Sequence, residues 1–354
     1  MTDFATLLDD VRRRLDDRLA VWLAPRVAAA NAVSPETGTV AEAAADLTLR
    51  GGKRMRAALV AIGYAAGDAE ARDAVAVCEP AMMAFELLQT YLLIHDDWMD
   101  HDEVRRGGPA VHAILREKLG TGLFDAATVL AGDLTSGWAQ DVLLETALPA
   151  ERVLAAARAY ARIQVDVVHG QLAEMQASRV LMGKSAPPAT VETVHLLKTA
   201  SYTTTGPLLL GAALAGASDA RTKQLEAFGR HLGIAFQLRD DVLGVFGDPA
   251  KTGKPIHNDI REGKRTALVE ELEKDAASAP LLAKALGRAD ASAEDLAAVA
   301  RAMEETGALA RVDARVKAFC ADAERVLQTM APTLSPTAHA WLSGAISALG
   351  ERAA

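Results

Sequence analysis

The chain is poor in cysteine. Its 354 residues include only Cys78 and Cys320, with no CxxC pair and no cluster of cysteine and histidine. These counts exclude a disulfide framework and the usual cysteine-rich zinc sites. We expect both thiols to be reduced and to lie in the core of a cytoplasmic protein.

Long hydrophobic runs and an excess of positive charge are also lacking. The two most apolar windows, 81–95 and 206–217, are too short to span a bilayer. The charged, amphipathic N-terminus has no apolar core of the kind that signal peptides contain. The formal net charge is −9, which argues against a nucleic-acid partner. The sequence therefore predicts a cytoplasmic protein with no stable membrane insertion and no nucleic-acid partner.

Aromatic residues make up only 4% of the chain, whereas hydrophobic residues as a whole make up 50%. Ala, Leu, Glu, Arg and Val dominate long stretches without Gly or Pro, which favours an all-α fold. The expected architecture is a single domain over residues 1–354, built as one large antiparallel helical bundle around a central cavity. Periodicity predicts helices over 3–30, 35–49, 53–67, 70–101 with a break at Pro80, 126–145, 150–178, 191–199 and 203–215 separated by a break at Ser201, 220–246, and about four more over 264–350.

Two of the predicted helices end in paired aspartates. The apolar run 87–94 is followed by Asp96, Asp97 and Asp100, and on a helix Asp96 and Asp100 lie one turn apart on one face. Like charges at that spacing destabilise a helix unless a cation neutralises them. Mg²⁺ prefers one or two protein carboxylates together with phosphate oxygens. The pattern predicts a magnesium–diphosphate site at the mouth of an apolar surface.

The second pair, Asp240 and Asp241, ends the long helix predicted over 220–246. The segment 247–263 that follows is rich in Gly, Pro, Asn, Asp and Lys, and is predicted to be a mobile loop that covers a site. Its Lys254, and Lys264 just beyond it, are candidate diphosphate ligands. The two acidic helix ends are expected to face each other across the central cavity.

A basic turn precedes the helix predicted over 53–67. Residues 51–56 read GGKRMR, which places three cations directly after a Gly-Gly turn. Backbone N–H groups at a helix start and guanidinium groups both suit a phosphate or diphosphate. Arg105 and Arg106, which follow the first acidic cluster, are further candidate diphosphate ligands.

Seven motifs occur along the chain in this order: GGKRMR, LLIHDDWMD with RRGGPAVH, AGD, GQLAE, LKTASYT, FQLRDDVLGVFGD and TGKPIHNDIREGKRT. Together they resemble the trans-isoprenyl diphosphate synthase, or polyprenyl synthetase, family over residues 51–266. The resemblance implies an all-α isoprenoid synthase fold and prenyltransferase activity that depends on Mg²⁺, with three ions expected. It also implies a homodimer, with isopentenyl diphosphate and an allylic diphosphate as substrates.

The resemblance also implies roles for individual residues. The positions implied for isopentenyl diphosphate are Gly52, Lys53, Arg56, Gln89 and Arg106. The positions implied for the allylic diphosphate or the developing cation are Arg105, Lys198, Thr199, Gln237, Lys254 and Lys264. The implied Mg²⁺ ligands are Asp96, Asp100 and Asp240, supported by Asp97 and Asp241. The catalytic residues expected among these are Lys198, Thr199, Gln237, Asp96 and Asp240.

The sequence departs from the family pattern at three positions. Gln89 stands where many bacterial members carry His, and Glu174 replaces the usual Asp after the Gly-Gln pair. Gly244 replaces the third Asp of the second acidic motif, although Asp248 and Asp259 follow nearby. We expect activity to survive these changes.

The chemistry implied by the family predicts which residues set the product length. An allylic cation forms once the diphosphate charge is neutralised, isopentenyl diphosphate attacks it, and released diphosphate accepts the proton lost. The growing tail should run along the helix upstream of Asp96, past Leu92, Tyr91, Leu88 and Leu87. Tyr91 is the only large aromatic there, a pattern similar to C20 geranylgeranyl producers, with C15 farnesyl as the alternative product.

Two other functions are compatible with parts of the pattern. A class I terpene cyclase shares the helical bundle and a DDxxD motif, but its second metal motif is not apparent and GGKRMR would be superfluous. An inactive regulatory subunit is expected to have lost an Asp pair or the basic turn, and this chain keeps both Asp pairs. Both alternatives are therefore less favoured than a synthase.

Overall fold

The computed structural model describes residues 3–67, 73–181, 190–247 and 257–350. Helices dominate these residues, and their only paired strands form one short hairpin, β1 (Val104–Arg105) with β2 (Gly108–Pro109). The predicted all-α fold is confirmed. Among the described residues, no helix combines the length and the apolar character needed to cross a membrane.

The helices are as follows. The first half of the chain contains α1 (Phe4–Val33), α2 (Pro35–Leu49), α3 (Met55–Gly67), α4 (Ala74–Val77), α5 (Glu79–Asp100), α6 (Val111–Leu119), α7 (Phe124–Leu144) and α8 (Ala150–Leu181). The second half contains α9 (Val191–Val194), a π-helix (His195–Thr205), α10 (Gly206–Ala215), α11 (Asp219–Phe246), α12 (Asn258–Glu262), α13 (Ala267–Leu272), α14 (Ala279–Ala285), α15 (Ala293–Glu305), α16 (Ala308–Met330) and α17 (Pro336–Gly350).

Local signals explain where the first helices begin. The side chain of Asp3 accepts a hydrogen bond from the backbone N–H of Thr6 at 2.8 Å, which caps α1. Ser34 does the same for α2 at 3.1 Å, and Pro35 occupies the first turn. At Pro80 the chain likewise starts a helix, because this proline lies in the first turn of α5.

The chain folds into two compact units. The single domain expected over residues 1–354 stays a prediction. The first unit comprises Met1–Arg158, Pro207–Ser218 and Ser335–Ala338. Within it α5 packs along α7, while α3 packs on α5 and α1 on α2. Phe85, Leu87 and Leu88 of α5 are fully buried. The acidic C-terminus of α5 therefore extends from a helix that the core holds firmly.

The second unit comprises Ala159–Gly206, Asp219–Leu334 and His339–Ala354. Its central helix is α11, which packs against both α16 and the π-helix. The buried side chains of α11 include Leu232, Ile234 and Leu238, so its acidic C-terminal end is also positioned by a rigid helix.

The predicted break at Ser201 is wrong. The chain continues through the π-helix directly into α10, and the N–H of Gly206 bonds to the carbonyl oxygen of Ser201, five residues earlier. A π-helix has one more residue per hydrogen-bonded turn than an α-helix and often occurs at functional sites. Its residues do not follow the period of 3.6, so periodicity alone indicated an interruption.

Candidate active site

The three aspartates at the end of α5 differ sharply in exposure. Asp97 is fully buried, whereas Asp96 and Asp100 are partly exposed. Both Nε and Nη2 of Arg105 donate to Oδ1 of Asp97, the former at 2.7 Å. Burial raises the pKa of Asp97, and hydrogen bonds and charge from Arg105 oppose that shift. Asp97 is therefore an anchor for Arg105, and the two outer carboxylates are the ones that can reach a ligand.

The hairpin of β1 and β2 fixes the two arginines that follow the acidic cluster. Its turn residues Arg106 and Gly107 have φ values of 51° and 73°, and positive φ at both turn positions is typical of a two-residue hairpin. Arg50, just after α2, donates from Nη1 to the carbonyl oxygens of Arg105 at 3.0 Å and Pro109 at 2.8 Å. Arg50 was not predicted from the sequence, because nothing local marks an arginine that contacts a distant hairpin.

The basic turn before α3 separates into one structural and two candidate ligand residues. The Arg54 side chain is buried, bonds to Asp16 from Nη2 at 2.7 Å, and pairs with Glu86 of α5. Lys53 is exposed and Arg56 is half-buried. Two carboxylates match the charge of Arg54, which marks it as structural. Lys53 and Arg56 stay the candidate diphosphate ligands of this turn.

Arg106 lies beside this basic turn. A Cβ atom added to Gly52 would lie 3.6 Å from Nη2 of Arg106, so the guanidinium reaches the Gly-Gly segment. Burial lowers the pKa of Arg106. The negative charge of Glu86 opposes this shift, whereas the positive charges of Arg54 and Arg56 add to it. Concentrated positive charge of this kind favours an anionic ligand.

Gln89 of α5 belongs to the same predicted substrate group. Its side chain is buried, and among the described residues its Oε1 atom has no hydrogen-bond partner. A buried polar atom without a partner is unusual and often marks a place where a ligand or water binds. Gln89 therefore stays a candidate substrate contact.

The predicted chain-length residues lie along α5, upstream of the acidic end. Leu88 is fully buried, while Tyr91 and Leu92 are partly exposed. The ring of Tyr91 packs edge-on against His95 at 5.0 Å between centroids, and His95 Nε2 lies 3.1 Å from the carbonyl oxygen of Val129. His95 thus packs against the edge of the Tyr91 ring and is held in turn by α7.

In the second unit, a chain of hydrogen bonds joins the π-helix to the end of α11. Oγ1 of Thr199 donates to Oε1 of Gln237 at 2.7 Å, and Nε2 of Gln237 donates to Oδ1 of Asp241 at 2.7 Å. The chain sets the orientation of the Gln237 amide, with its oxygen turned toward Thr199. Three residues that were predicted separately therefore form one connected group.

Asp241 receives two further contacts at its second carboxylate oxygen. The N–H of Ala267 donates to Oδ2 at 3.2 Å, and His195 Nε2 lies 3.3 Å from the same atom. His195 and Asp241 are both buried, whereas Asp240 is exposed. His195, three residues before Lys198 on the π-helix, was not predicted from the sequence. Asp240 is the carboxylate of this pair that is open to a ligand.

The GQLAE motif of α8 shapes the surroundings of Lys198. A Cβ atom on Gly170 would lie only 2.3 Å from the backbone nitrogen of Lys198, so only glycine lets the two backbones approach this closely. Glu174, one turn later, forms an ion pair with Nζ of Lys198. The substitution of Glu for the usual Asp therefore leaves a carboxylate in contact with this lysine.

The remaining predicted lysines lie near the end of the acidic motif. Nζ of Lys264 lies 2.6 Å from a carboxylate oxygen of Glu262 on α12. Lys254, Asp248 and most of the predicted lid, 247–263, lie outside the described residues.

The exposed acidic groups fit a hard cation that completes its coordination with phosphate and water. In the described residues of each unit, no three His, Cys, Asp or Glu side chains form a metal-binding cluster by themselves. Mg²⁺ commonly takes only one or two protein carboxylates and fills its other positions with phosphate oxygens and water. Asp96 and Asp100 in one unit and Asp240 in the other are suited to that role.

The chain is similar to several characterised proteins. Residues 38–303 match the family model described as polyprenyl synthetase. The (2E,6E)-farnesyl diphosphate synthase of Mycobacterium tuberculosis is 33% identical over 306 residues, covering 84% of this chain and 78% of the relative. The geranylgeranyl diphosphate synthase of Sulfolobus acidocaldarius is 35% identical over 272 residues, covering 75% and 76% respectively.

A solved structure agrees along nearly the whole chain. It is a geranylgeranyl pyrophosphate synthase from Corynebacterium glutamicum, complexed with isoprenyl diphosphate and magnesium. The two structures superpose with a TM-score of 0.87 at 31% sequence identity, covering 98% of this chain and 99% of the other.

Proposed function

This chain belongs to the polyprenyl synthetase family of trans-prenyltransferases, and from that premise we propose that it condenses isopentenyl diphosphate head-to-tail with an allylic diphosphate. The similar proteins are short-chain synthases. The proposed main product is C20 all-trans geranylgeranyl diphosphate, with C15 farnesyl diphosphate as the alternative. Dimethylallyl, geranyl and farnesyl diphosphates are the proposed allylic substrates.

One observation carries the proposal for the site. In each unit a long helix ends in an Asp pair whose second member is buried and bonded to the protein, while the first remains accessible. Asp97 anchors Arg105, and Asp241 anchors Gln237. Each pair thus presents an outer carboxylate for an ion, beside a buried carboxylate that orients a side chain proposed to act on the substrate.

Mg²⁺ is the proposed cofactor, with three ions expected. Asp96, Asp100 and Asp240 would hold them, and the related Corynebacterium glutamicum structure was obtained with magnesium. When bound, Mg²⁺ neutralises diphosphate charge and makes it a better leaving group.

The protein side chains supply binding and orientation in this scheme. Arg105, Lys198 and Lys264 bind the allylic diphosphate, and the two lysines exchange their glutamate partners for phosphate oxygens as the substrate enters. The oxygen atoms of Thr199 and Gln237 are held in fixed positions by the hydrogen bond between them. They stabilise the developing allylic cation by dipoles that need no reorganisation.

The partner substrate is assigned to the basic turn. Lys53, Arg56 and Arg106 bind isopentenyl diphosphate, and Gln89 contributes its buried amide. The double bond attacks the allylic cation, a C–C bond forms, and the proton lost from the adduct goes to the released diphosphate. Exclusion of water protects the cation from quenching during this step.

A primer assay tests the proposed function. The purified chain is incubated with Mg²⁺, isopentenyl diphosphate and one of the C5, C10 or C15 allylic diphosphates, and products are separated by length. Geranylgeranyl diphosphate is expected from every primer. A ladder that stops at C15 or continues beyond C25 would overturn the C20 assignment. Turnover of an allylic diphosphate without isopentenyl diphosphate would indicate a cyclase. The absence of any turnover would indicate an inactive subunit.

Tyr91→Ala is expected to lengthen the product by at least one C5 unit. In this proposal the Tyr91 ring, which packs edge-on against His95, limits the length of the growing tail, and its removal leaves room for a longer one. Product length is read by chromatography against prenyl alcohol standards. Tyr91→Phe keeps the ring and should give the wild-type product. An unchanged product from Tyr91→Ala would show that another residue sets the length.

We further propose that the protein is a homodimer that covers two exposed apolar stripes with a second copy. On α7 and just before it, heptad spacing relates Leu123, Leu130 and Leu144, and all three side chains are exposed. On α8, exposed apolar side chains recur at helical spacing at Val165, Val168 and Leu172. Exposed apolar side chains that recur along one face of a helix are candidates for coverage by another protein surface.

Light scattering tests the homodimer. The wild type is expected at about twice the chain mass of 37.3 kDa. Leu130→Glu introduces a charge into the α7 stripe, and we expect it to shift the protein to the monomer. Val33→Glu, at the exposed end of α1, serves as the matched control and should leave the dimer intact. A wild-type protein that elutes as a monomer would contradict the proposal.

A further inference from the structure

The second acidic motif lacks the third carboxylate that the first one has. In the first motif Asp100 follows Asp96 by four residues, whereas in the second Gly244 follows Asp240 by four residues. On α11 residue 244 lies one turn beyond Asp240 and on the same face. The missing side chain would therefore have pointed to the same side as the exposed carboxylate of Asp240.

The place of that side chain is taken by a carboxylate from another helix. A Cβ atom added to Gly244 would lie 2.1 Å from Oδ2 and 2.9 Å from Cγ of Asp259. Atoms this close cannot coexist, so the Asp259 carboxylate occupies the volume in which a residue 244 side chain would begin. Asp259 is partly exposed.

Asp259 is delivered by a firmly anchored turn. It lies on α12, whose Ile260 is buried and accepts a hydrogen bond at its carbonyl oxygen from the N–H of Gly287 at 2.9 Å. Arg261 Nη1 donates to the carbonyl oxygens of Ala289 at 3.0 Å and Ala291 at 3.2 Å. These contacts fix α12 against the turn formed by residues 287–291.

The same turn connects Asp259 to a predicted diphosphate ligand. The N–H of Lys264 donates to the carbonyl oxygen of Asp259 at 3.0 Å. The position of the Asp259 carboxylate and the start of the Lys264 side chain are therefore set by one local structure.

We propose that Asp259 supplies, from α12, the third carboxylate of the second acidic motif, in place of residue 244. Its negative charge lies one turn from Asp240 and supports the binding of Mg²⁺ and diphosphate there. The proposal rests on the proposed function, because a carboxylate at this place has a role only if that motif binds Mg²⁺. It explains how the chain tolerates Gly244.

A purely structural role for Asp259 makes a different prediction. An acidic residue in the first turn of a helix stabilises that helix through the helix dipole. If Asp259 acted only in this way, a carboxylate moved from α12 to α11 could not replace it. Moving the carboxylate therefore separates the two explanations.

A relocation experiment tests the proposal with four variants. Asp259→Asn removes the charge and keeps the shape, Asp259→Ala empties the space, and Gly244→Asp forces two carboxylates together. The double variant Gly244→Asp/Asp259→Ala restores the wild-type charge with the carboxylate on α11. Asp290→Ala is the matched control, since the Asp290 side chain is 79% exposed in the turn against which α12 lies.

Two readouts are compared across the set. The first is the rise in Tm caused by Mg²⁺ with inorganic diphosphate, from which the apparent affinity for the pair is obtained, and the second is kcat/KM for the allylic diphosphate. Asp259→Asn and Asp259→Ala are expected to lower both affinity and kcat/KM by roughly 10- to 100-fold. The double variant should bind Mg²⁺ with diphosphate, and turn over the allylic diphosphate, at least about tenfold better than Asp259→Ala. A double-mutant cycle measures this departure from additivity.

The outcomes separate this proposal from the proposed function. Wild-type affinity in Asp259→Asn and Asp259→Ala, or a double variant no better than Asp259→Ala, would overturn the role of Asp259. Failure of the wild type to condense its substrates would instead overturn the proposed function. Asp290→Ala is expected to match the wild type in both readouts. Tm values without ligand identify any variant that loses affinity because it misfolds. If Asp259→Ala misfolds, the affinity of Asp259→Asn decides whether the carboxylate of Asp259 is needed.

Discussion

Asp96→Asn is expected to lower kcat/KM roughly 100- to 1,000-fold without weakening the fold, the scale of losing one electrostatic group at the reacting centre. Asp96 is partly exposed at the end of α5, and asparagine has nearly the same shape without the charge. The loss should appear together with a smaller rise in Tm on adding Mg²⁺ and inorganic diphosphate.

The same substitution should slightly stabilise the protein without ligand. Asp96 and Asp100 are like charges one turn apart at a helix C-terminus, where negative charge is already unfavourable. Neutralising one of them should raise the free energy of unfolding by about 0.2–0.5 kcal/mol. Glu117→Gln, at an exposed site on α6, is the control and should change neither activity nor ligand response. Full activity in Asp96→Asn would remove Asp96 from the set of metal ligands.

Asp97→Ala is expected to have the opposite signature, a loss of stability of about 3 kcal/mol. Asp97 is fully buried and pairs with Arg105, whose side chain is 18% exposed. Removing the carboxylate takes the two hydrogen bonds to Asp97 from a partly buried guanidinium, which keeps its ion pair with Asp102 at 3.0 Å. The free energy of unfolding is measured in urea for the wild type and the variant. Activity should also fall, because Arg105 loses its orientation.

Asp102→Ala is the matched control for this measurement. It removes the other carboxylate that contacts Arg105, but the Asp102 side chain is 27% exposed. We expect a loss of less than about 1 kcal/mol, as for other pairs near the surface. Equal stabilities of the Asp97→Ala and Asp102→Ala variants would show that the buried pair does not hold the hairpin.

The sequence predicted the long helices closely. The predicted helix over 35–49 coincides with α2, and that over 220–246 differs from α11 by one residue at its start. Caps, glycines and apolar periodicity are local signals, and they set these limits. The helix α6 was not predicted, because it follows a turn that dominated the local pattern.

Predictions that depended on packing were less successful. The break expected at Ser201 is a continuous π-helix, which packs against α11 and closely approaches Gly170 of α8. These contacts come from distant parts of the chain, so no local pattern indicates them. The role of Gly170 became apparent only when its contact with the Lys198 backbone was known. His195 and Arg50 carried no recognisable motif, so each could be identified only by the atoms it contacts.

The sequence by itself determined the helical class, the two acidic helix ends and the family, because periodicity and short motifs are properties of neighbouring residues. Only the tertiary structure decided which aspartate of each pair is available. Asp97 is turned inward by Arg105 from the hairpin, and Asp241 by the N–H of Ala267, 26 residues away. Adjacent aspartates look equivalent in sequence, but a buried carboxylate needs donors around it. The fold brings those donors to one member of each pair and leaves the other exposed for its ligand.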